Sequence, residues 1–386
     1  MATITIGESV LEESINRIKS LYEDGHRVIV SFSGGKDSGV CLELAIIAAR
    51  ETGNLPAEVV MRDEEIMFPG TFEYAERVYN RKNEVNMHWV IANQPIINIF
   101  NRECPYWWVF DPLLKPEEWV RQPPPFAEYI KTLSIESMSN AERFLPEKGK
   151  CLVNIVGLRT SESMRRKLGL KSMKGSFKTQ PTGKNKNNMK AHPIYDWKDH
   201  DVWKAISDNK WDYNHAYDVM FKLGTPTQRL RIAPPTMVKA SAFGLKIAMK
   251  AWPQWFEKVA KRLPGVRAVA RYGNAVLQPH RQLNETWEEC FKRECIDTAP
   301  KWIAERSTIM MNTMLKAHSK HSQTPFPQIS PCSACISPGS WRDMAMIMYC
   351  GSPFCSTGAK TKSILKEVDP EQFRLGAGKW EGNPTW

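Results

Sequence analysis

The segment from Val28 to Ala49 constrains the fold of this 386-residue chain more than any other part of the sequence. It begins with a β-branched run, Val28 to Val30, which is typical of a buried strand. The string SGGKDS follows at residues 33–38, and an apolar helical stretch continues to Ala49. In such a strand–turn–helix unit, glycines let the backbone approach an anion closely, and the amides of the turn point at it. The segment therefore predicts a phosphate-binding turn.

The SGGKDS string lacks the GxxxxGK[ST] spacing of a Walker A loop. It resembles the PP-loop of the ATP pyrophosphatases, a family that cleaves ATP between the α and β phosphates and includes the phosphoadenosine phosphosulfate (PAPS) reductases. An ordinary tight turn is the alternative, but such a turn needs only the glycine pair. The resemblance implies that the pyrophosphate or sulfonate end of an adenine nucleotide is held by Ser33, Gly34, Gly35, Lys36, Asp37 and Ser38.

A second family element follows a strand predicted at Leu152–Val156, where GLRTSESMRR occupies residues 157–166. It resembles the G-[IL]-R-x-x-E-S-x-x-R element of PAPS reductase-like proteins. Arginines at a strand end and on the next helix can present planar guanidinium groups to phosphate or sulfate, whereas a helix with surface charges is the alternative. The resemblance implies nucleotide contacts from Gly157, Arg159, Glu162 and Ser163, and catalytic roles for Lys36, Asp37, Arg159 and Arg166.

Asp63 is a further candidate, because it follows a strand predicted over residues 57–61. Ligand sites of doubly wound sheets lie outside the carboxyl ends of the strands. A carboxylate there can meet an adenine amino group, a ribose hydroxyl or Mg²⁺. We therefore predict that Asp63 contacts the nucleotide, with a solvated acidic loop as the alternative.

The net charge of +11 indicates an anionic partner: a nucleotide, a sulfate ester or nucleic acid. Residues 171–190 carry six lysines and no acid, which predicts either a solvated loop or a loop that closes over a nucleotide or a phosphate backbone. Arg229 and Arg231 are candidate substrate contacts, and Asp199 is a candidate helix N-cap. Neither a signal-peptide pattern nor an apolar run of membrane-spanning length occurs, which predicts a cytoplasmic protein without a membrane partner.

The nine cysteines favour metal binding or redox chemistry over disulfides in a reducing compartment. Two residues separate Cys332 from Cys335, and four separate Cys350 from Cys355. A two-residue gap lets a tight turn point two thiolates at one metal, so we predict a metal site formed by these four cysteines. Zn²⁺ and a [4Fe–4S] cluster both accept such ligands. The resemblance to DNA-phosphorothioation pyrophosphatases, which are iron–sulfur proteins, favours the cluster.

These elements predict an α/β fold, with a doubly wound, mostly parallel sheet like that of the adenine nucleotide α-hydrolases. A helical C-terminal region would carry the cysteine site. We expect a nucleotide-binding domain at 1–225, a mainly helical extension at 226–325 and a cysteine-rich region at 326–386. Within the extension, residues 285–318 are predicted to form one helical stretch.

The resemblance is greatest to PAPS reductase-like proteins of phages and mobile elements. It implies an enzyme that binds ATP with Mg²⁺, forms an adenylated intermediate and supports sulfur transfer to nucleic acid. Reduction of PAPS or adenylylsulfate is a second hypothesis, although the Glu-Cys-Gly-[Ile/Leu]-His motif of assimilatory PAPS reductases does not occur in the sequence. The third hypothesis is a non-catalytic module that senses nucleotide and acts with a partner protein encoded nearby.

Overall fold

The computed structural model describes residues 9–92, 95–130, 150–162, 164–173, 180–182, 185–232, 242–335, 338–352, 368–371 and 373. The chain divides into two compact units. The first comprises Met1–Gln94 and Val109–Ala233, and the second comprises Pro95–Trp108 and Pro234–Trp386. The short segment Pro95–Trp108 therefore belongs with the C-terminal part of the chain.

The strands, in chain order, are β1 (Arg27–Ser31), β2 (Ala57–Asp63), β3 (Val85–Ala92), β4 (Pro95–Ile97), β5 (Tyr106–Trp108), β6 (Glu128–Ile130), β7 (Leu152–Ile155), β8 (Gln180–Thr182) and β9 (Asn185–Ala191). Seven of them form the sheet of the first unit, in the order β6-β3-β2-β1-β7-β9-β8. All neighbours in this sheet pair in parallel except β8, which pairs antiparallel with β9. The other two strands, β4 and β5, form an antiparallel pair in the second unit.

The α-helices of the first unit are α1 (Val10–Glu23), α2 (Lys36–Glu51), α3 (Pro69–Tyr79), α4 (Met164–Ser172), α5 (Asp199–Asp208) and α6 (Ala216–Lys222). The second unit contributes α7 (Ala242–Ala251), α8 (Pro253–Arg262), α9 (Val266–Tyr272), α10 (Trp287–Lys292), α11 (Lys301–His318) and α12 (Trp341–Met348). Among the described residues, no helix is both long enough and apolar enough to span a membrane.

One face of the sheet buries the main hydrophobic core of the first unit. In β1, Val28 and Val30 face this core, and Val28 lies opposite Val153 of the neighbouring strand β7. Helices α1, α2, α3 and α5 supply the other half of the core. The alternate residue Ile29 faces the opposite side, where it packs with Val60. Because both faces are apolar, the central strands read as continuous hydrophobic runs, as expected for a parallel sheet.

The predicted α/β class and the mostly parallel sheet are confirmed, and the three strands predicted beside the loops match β1, β2 and β7. The lysine-rich segment differs from the prediction of a loop. Its described part contains β8 and β9, and β9 pairs in parallel with β7 over Leu152↔Asn188 to Ile155↔Ala191. The sequence of β9, NKNNMKA, contains no β-branched or aromatic residue, so local propensity does not reveal a strand that is held by its neighbours.

The second unit is mainly helical, as predicted, and Cys332, Cys335 and Cys350 belong to it. The predicted single helix over 285–318 is wrong in one respect, since the structure divides it. A π-helical turn at Arg293–Asp297 follows α10, and α11 begins only after Pro300, its N-cap. Proline has no amide hydrogen to donate to the preceding turn, which explains why a new helix starts at this point.

Substitution of Arg17 tests how much the contacts between α1 and the segment after β9 contribute to the stability of the fold. Its guanidinium, which is almost fully buried, donates to the carbonyl oxygen of Pro193 at 2.6 Å and to the carboxylate of Asp196 at 2.7 and 2.9 Å. We expect Arg17→Met to lower the free energy of unfolding by about 2 kcal/mol. The carboxylate of Asp196 loses its guanidinium donor, and the buried carbonyl of Pro193 loses one of two donors, since the Ser14 hydroxyl also lies 3.1 Å from it. Urea unfolding, monitored by circular dichroism, measures this free energy of unfolding.

Arg50→Met is the matched control, since it removes the same charge from a side chain that is 53% exposed and pairs with Glu84 at 2.6 Å. An exposed ion pair of this kind contributes about 0.5 kcal/mol. Equal losses of stability in the two variants would contradict the role assigned to Arg17.

Candidate nucleotide-binding site

The candidate site lies where the strand order of the sheet reverses. Strand β1 has β2 on one side and β7 on the other. The chain passes from β1 to its neighbour β2 on one side, whereas after β7 it continues to β8 and β9 on the other side. In doubly wound sheets, ligands bind outside the carboxyl ends of the strands at such a point. Since β1 ends at Ser31 and β7 ends at Ile155, the SGGKDS loop and the GLRTSE segment leave the sheet side by side.

The loop after β1 depends on a glycine at position 34. Gly34 has φ +71°, and a Cβ atom there would lie 2.6 Å from Cγ2 of Thr71. Helix α2 then begins at Lys36, with Gly35 as an N-cap that supplies no side chain. The N-cap residue itself therefore makes no side-chain hydrogen bond to the first turn, and amides at the amino end of a helix favour anions.

The two serines of the loop bind each other and the loop backbone. The Ser38 hydroxyl donates to the carbonyl oxygen of Gly35 at 2.9 Å and accepts from the amide of Ser33 at 3.2 Å. The hydroxyl oxygens of Ser33 and Ser38 lie 3.1 Å apart. These contacts fix the shape of the turn before any ligand is present.

A cluster of four charged side chains lies at the amino end of α2. Arg159 donates from Nε to Oδ1 of Asp37 at 2.7 Å and from a terminal nitrogen to Oδ1 of Asp199 at 3.2 Å. Lys36 Nζ lies 3.3 Å from Asp37 Oδ2 and 3.1 Å from Asp199 Oδ1. Because the side chains of Lys36 and Arg159 are only 10% and 3% exposed, the two carboxylates hold two nearly buried cations in place.

More positive charge surrounds this cluster. Arg166 forms an ion pair with Glu162, and Glu162 also lies 3.9 Å from Arg159. Burial lowers the pKa of the Arg166 guanidinium, and the nearby charges of Arg231 and Arg159 lower it further. The carboxylate of Asp37 acts in the opposite direction on this pKa. Counted by charge, four cations (Lys36, Arg159, Arg166 and Arg231) lie around three carboxylates (Asp37, Asp199 and Glu162). The arrangement favours the binding of an anion.

Gly157 lets the two loops touch. A Cβ atom at this position would lie 2.9 Å from both the carbonyl carbon and the carbonyl oxygen of Asp37, and 3.1 Å from the amide nitrogen of Ser38. These contacts are with backbone atoms, which cannot turn aside as a flexible side chain can. The close approach brings Arg159 within reach of Asp37.

Three site residues were missed by the sequence reasoning. Asn214 is fully buried and donates to the carbonyl oxygen of Gly34 at 3.0 Å, while Tyr217 accepts from the amide of Lys36 at 3.2 Å. The prediction that Asp199 is an N-cap is wrong, because Lys198 is the N-cap of α5 and Asp199 is the first residue of the helix. The carboxylate of Asp199 instead binds Lys36 and Arg159. Asn214 and Tyr217 lie in the string YNHAYD at residues 213–218, which resembles a segment of PAPS reductase-like proteins, and this resemblance was the available signal.

Two other predicted nucleotide contacts have different surroundings. Asp63 is 1% exposed; it accepts from the indole of Trp89 at 2.8 Å, from Arg121 and from the amide of Glu65 at 2.9 Å. These bonds already occupy both carboxylate oxygens, and the nucleotide contact of Asp63 stays a prediction. Ser163 lies outside the described residues.

The predicted metal residues are partly brought together in the second unit. Ligand atoms of Cys332, Cys335 and His318 lie within 4.8 Å of one another. Cys350 is buried elsewhere, where its thiol donates to the carbonyl oxygen of Leu277 at 3.6 Å. Cys355 lies outside the described residues. His318 was missed, because it precedes the Cys-x-x-Cys pair by fourteen residues and meets it only in the folded chain.

The ligand set in the described part of the chain is therefore two thiols and one imidazole rather than four thiols. Hydrogen bonds from the backbone of Ala334 and the side chain of Cys335 lower the pKa of Cys332, which favours its thiolate form. This set fits a single metal ion of the zinc type better than a cluster that needs cysteine thiolates throughout.

The family of the chain follows from a domain match. Residues 27–224, about half of the sequence, match the model of the phosphoadenosine phosphosulfate reductase domain. The matched range includes the SGGKDS loop, the GLRTSE segment and the missed residues Asp199, Asn214 and Tyr217. The fold and the site define an α/β protein of the PP-loop kind. The chain belongs to the phosphoadenosine phosphosulfate reductase domain family.

The chain is also similar to individual proteins. The uncharacterized protein YbdN of Escherichia coli (strain K12) is 28% identical over 290 residues, which cover 68% of each chain. FMN adenylyltransferase of Candida glabrata, solved with FMN and an ATP analog, is 14% identical with a TM-score of 0.35. The match covers 57% of this chain and 64% of the adenylyltransferase chain. This chain thus spans slightly less than two thirds of that structure.

The U34-tRNA thiolase NcsA of Methanococcus maripaludis, solved with its [4Fe–4S] cluster, is 15% identical with a TM-score of 0.30. The match covers 71% of this chain and 82% of the thiolase chain. With TM-scores this low, the assignment to the family rests on the domain match and not on the solved structures.

Gly157→Ala tests the close approach of the two loops. We expect it to weaken ATP binding at least about ten-fold and to destabilise the protein by about 2 kcal/mol, because the added methyl group overlaps the backbone of Asp37. Isothermal titration calorimetry and urea unfolding measure the two effects. Gly169→Ala is the control, since no atom lies within 4 Å of its added Cβ, and it should bind ATP normally. Normal ATP binding by Gly157→Ala would refute the argument.

Proposed function

We propose that this protein is an adenine-nucleotide enzyme that cleaves ATP between the α and β phosphates. In the proposed reaction it forms an adenylated intermediate and supports sulfur transfer to nucleic acid in the cytoplasm. The observation that carries the proposal is the pair of nearly buried cations, Lys36 and Arg159, held by Asp37 and Asp199 beside the amino end of α2. The family assignment supports it independently.

The charge cluster suits a polyphosphate. Phosphate oxygens would replace Asp37 and Asp199 as partners of Lys36 and Arg159, while the end of α2 and the loop amides would face the same group. Arg166, paired with Glu162 and close to Arg231, would supply a further guanidinium. Positive groups placed in advance around developing phosphate charge are the usual means of stabilising such a transition state.

Magnesium would enter with the nucleotide. Asp37 and Asp199 are carboxylates beside the proposed phosphate position, and carboxylate oxygens together with substrate phosphates are the ligands Mg²⁺ takes in such sites. Bound there, the ion would neutralise part of the phosphate charge. The residues of the chain would orient the phosphates and exclude water.

The proposed reaction balances in two steps. An oxygen of the acceptor attacks the α phosphorus, the bond to the bridging oxygen breaks, and pyrophosphate leaves with the electron pair. A sulfur nucleophile then displaces AMP from the adenylated acceptor carbon. AMP is a far better leaving group than hydroxide or oxide, which is the chemical reason for activating the acceptor.

Thiol-dependent reduction of PAPS is less well supported. It needs a nucleophilic cysteine with a lowered pKa. Cys41, which lies on α2 one turn after Asp37, is fully buried, and burial raises the pKa of its thiol. Cys104, in the second unit, is also buried with a raised pKa. Neither of these two thiols has the properties of an attacking thiolate. Cys332 does have a lowered pKa, but its thiol lies with His318 and Cys335 in a group that could hold a metal ion.

Product identification tests the proposal. Anaerobically purified full-length protein would receive Mg²⁺ and either ATP or PAPS, with and without DNA or tRNA, and the nucleotide products would be separated by chromatography. AMP and pyrophosphate support the proposal, and a dependence on one nucleic acid names the acceptor. Adenosine bisphosphate with sulfite would overturn it in favour of a reductase. Tight binding without turnover in any mixture would favour a nucleotide-sensing module that acts with a partner protein.

Lys36→Met should reduce the rate of AMP formation by about 100-fold, because a fixed positive charge is lost from the transition state. Arg50→Met is the control: Arg50 lies at the far end of the same helix, where it pairs with Glu84. Its rate should match that of the unmodified protein. An equal rate in Lys36→Met would remove Lys36 from the proposed machinery.

Asp199→Asn should tighten ATP binding by about three-fold, because a half-exposed carboxylate no longer competes with phosphate for Lys36 and Arg159. Asp208→Asn, on the same helix and paired only with Lys204 among described contacts, should leave the Kd unchanged. Calorimetric titration with ATP in the absence of Mg²⁺ measures both. Weaker binding by Asp199→Asn would show that this carboxylate helps to hold the ligand instead of competing with it.

A further inference from the structure

We infer that His318, Cys332 and Cys335 bind one zinc ion in the second unit, through Nδ1 of the histidine and the two Sγ atoms. This site is independent of the proposed nucleotide chemistry. It also differs from the four-cysteine site that the spacing predicts, because a histidine is included and Cys350 is not. The donor atoms already lie within 4.8 Å of one another, so no large movement is needed to bring them to a common ion.

The imidazole of His318 has a defined tautomer. Its Nε2 lies 2.9 Å from the carbonyl oxygen of Thr324, which can only accept a hydrogen bond. Nε2 therefore carries the proton, and the lone pair of Nδ1 faces Sγ of Cys335 at 3.2 Å. A histidine that ligates a metal commonly donates its other ring N–H to a backbone carbonyl in this manner. The ring is thus prepared for coordination through Nδ1.

The elements around the three residues hold them in place. His318 is the last residue of α11 and is 4% exposed. Its ring packs edge-on against Phe326, with 5.3 Å between the ring centroids, and Phe326 packs in the same way against Trp341 of α12. The imidazole is therefore fixed by packing as well as by its hydrogen bond.

The two cysteines belong to a backbone turn of the kind that ligates zinc. The amide of Cys335 donates to the carbonyl oxygen of Cys332 at 3.3 Å, and the amide of Cys332 donates to the carbonyl oxygen of Gly339 at 3.1 Å. Such a turn directs both thiols to one side. An ion bound there would join the end of α11 to the segment that leads into α12.

The chemistry of the donors selects the metal class. Two thiolates and one imidazole form a mixed nitrogen–sulfur set, which suits tetrahedral Zn²⁺ and leaves a fourth position for water or an added ligand. A [4Fe–4S] cluster needs four ligands, usually all cysteine thiolates. Cys350, the next candidate, is buried and donates its S–H to a backbone carbonyl instead.

The test compares two sets of variants of the full-length protein, purified without chelator and dialysed against zinc-free buffer. Elemental analysis should find about one zinc per chain in the unmodified protein and in Cys350→Ser, and a nearly complete loss in His318→Asn and Cys332→Ser. His321→Asn is the matched control, because His321 is an exposed histidine three residues beyond His318. Loss of metal from Cys350→Ser with retention in His318→Asn would overturn the proposal, as would iron with acid-labile sulfide.

A second measurement uses the unmodified protein, so that it gives a result even where the histidine and cysteine variants do not fold. Zinc in the unmodified protein is exchanged for Co²⁺, whose thiolate charge-transfer absorption grows with the number of bound thiolates. The absorption per cobalt should correspond to two thiolates, and it should be unchanged in Cys350→Ser. An intensity that corresponds to three or four thiolates, or no cobalt spectrum at all, would refute the assigned ligand set.

Discussion

The bond between Arg159 and Asp37 is the contact on which the arrangement of the site depends. It joins the loop after β7 to the first turn of α2 at 2.7 Å, across a separation of 122 residues. Gly157 makes this possible, because only a residue without a Cβ can lie against the carbonyl of Asp37. The reversal of strand order puts the two loops side by side, and the ion pair then fixes their relative position. The other site residues attach to this pair.

Much of the fold could be predicted, because its signals are local. The β-branched run Val28–Val30 and the apolar helical stretch after it can be recognised in short windows of sequence, and the resemblance to the family implied the α/β class. Strand β9 was not predictable in this way. Its pairing with β7 comes from backbone hydrogen bonds to a neighbour, and its polar side chains carry no strand pattern. Tertiary context overrides weak local preference there.

The candidate site shows the same division between local and distant signals. The loop residues Lys36 and Asp37 are contiguous and match a motif, so they could be selected from sequence. Asp199, Asn214 and Tyr217 contact the loop from more than 160 residues away, and no spacing rule connects them to it. His318 is similar: its Nδ1 faces Cys335 only because α11 ends where the Cys-x-x-Cys turn returns. Contacts of this kind require the folded chain.

The charge balance of the site also bears on which ligands it can select. Lys36 and Arg159 are nearly buried, and an unpaired buried cation costs several kcal/mol, so Asp37 and Asp199 are needed to keep the ligand-free site folded. Any ligand must therefore replace carboxylate partners that are already well placed. A singly charged anion gains little from such an exchange, because one carboxylate is traded for one equivalent charge. A polyphosphate offers several charges to Lys36, Arg159 and Arg166 together and can outcompete the carboxylates. In the proposed site, pre-paired cations would therefore select for highly charged ligands at the switch point between β1 and β7.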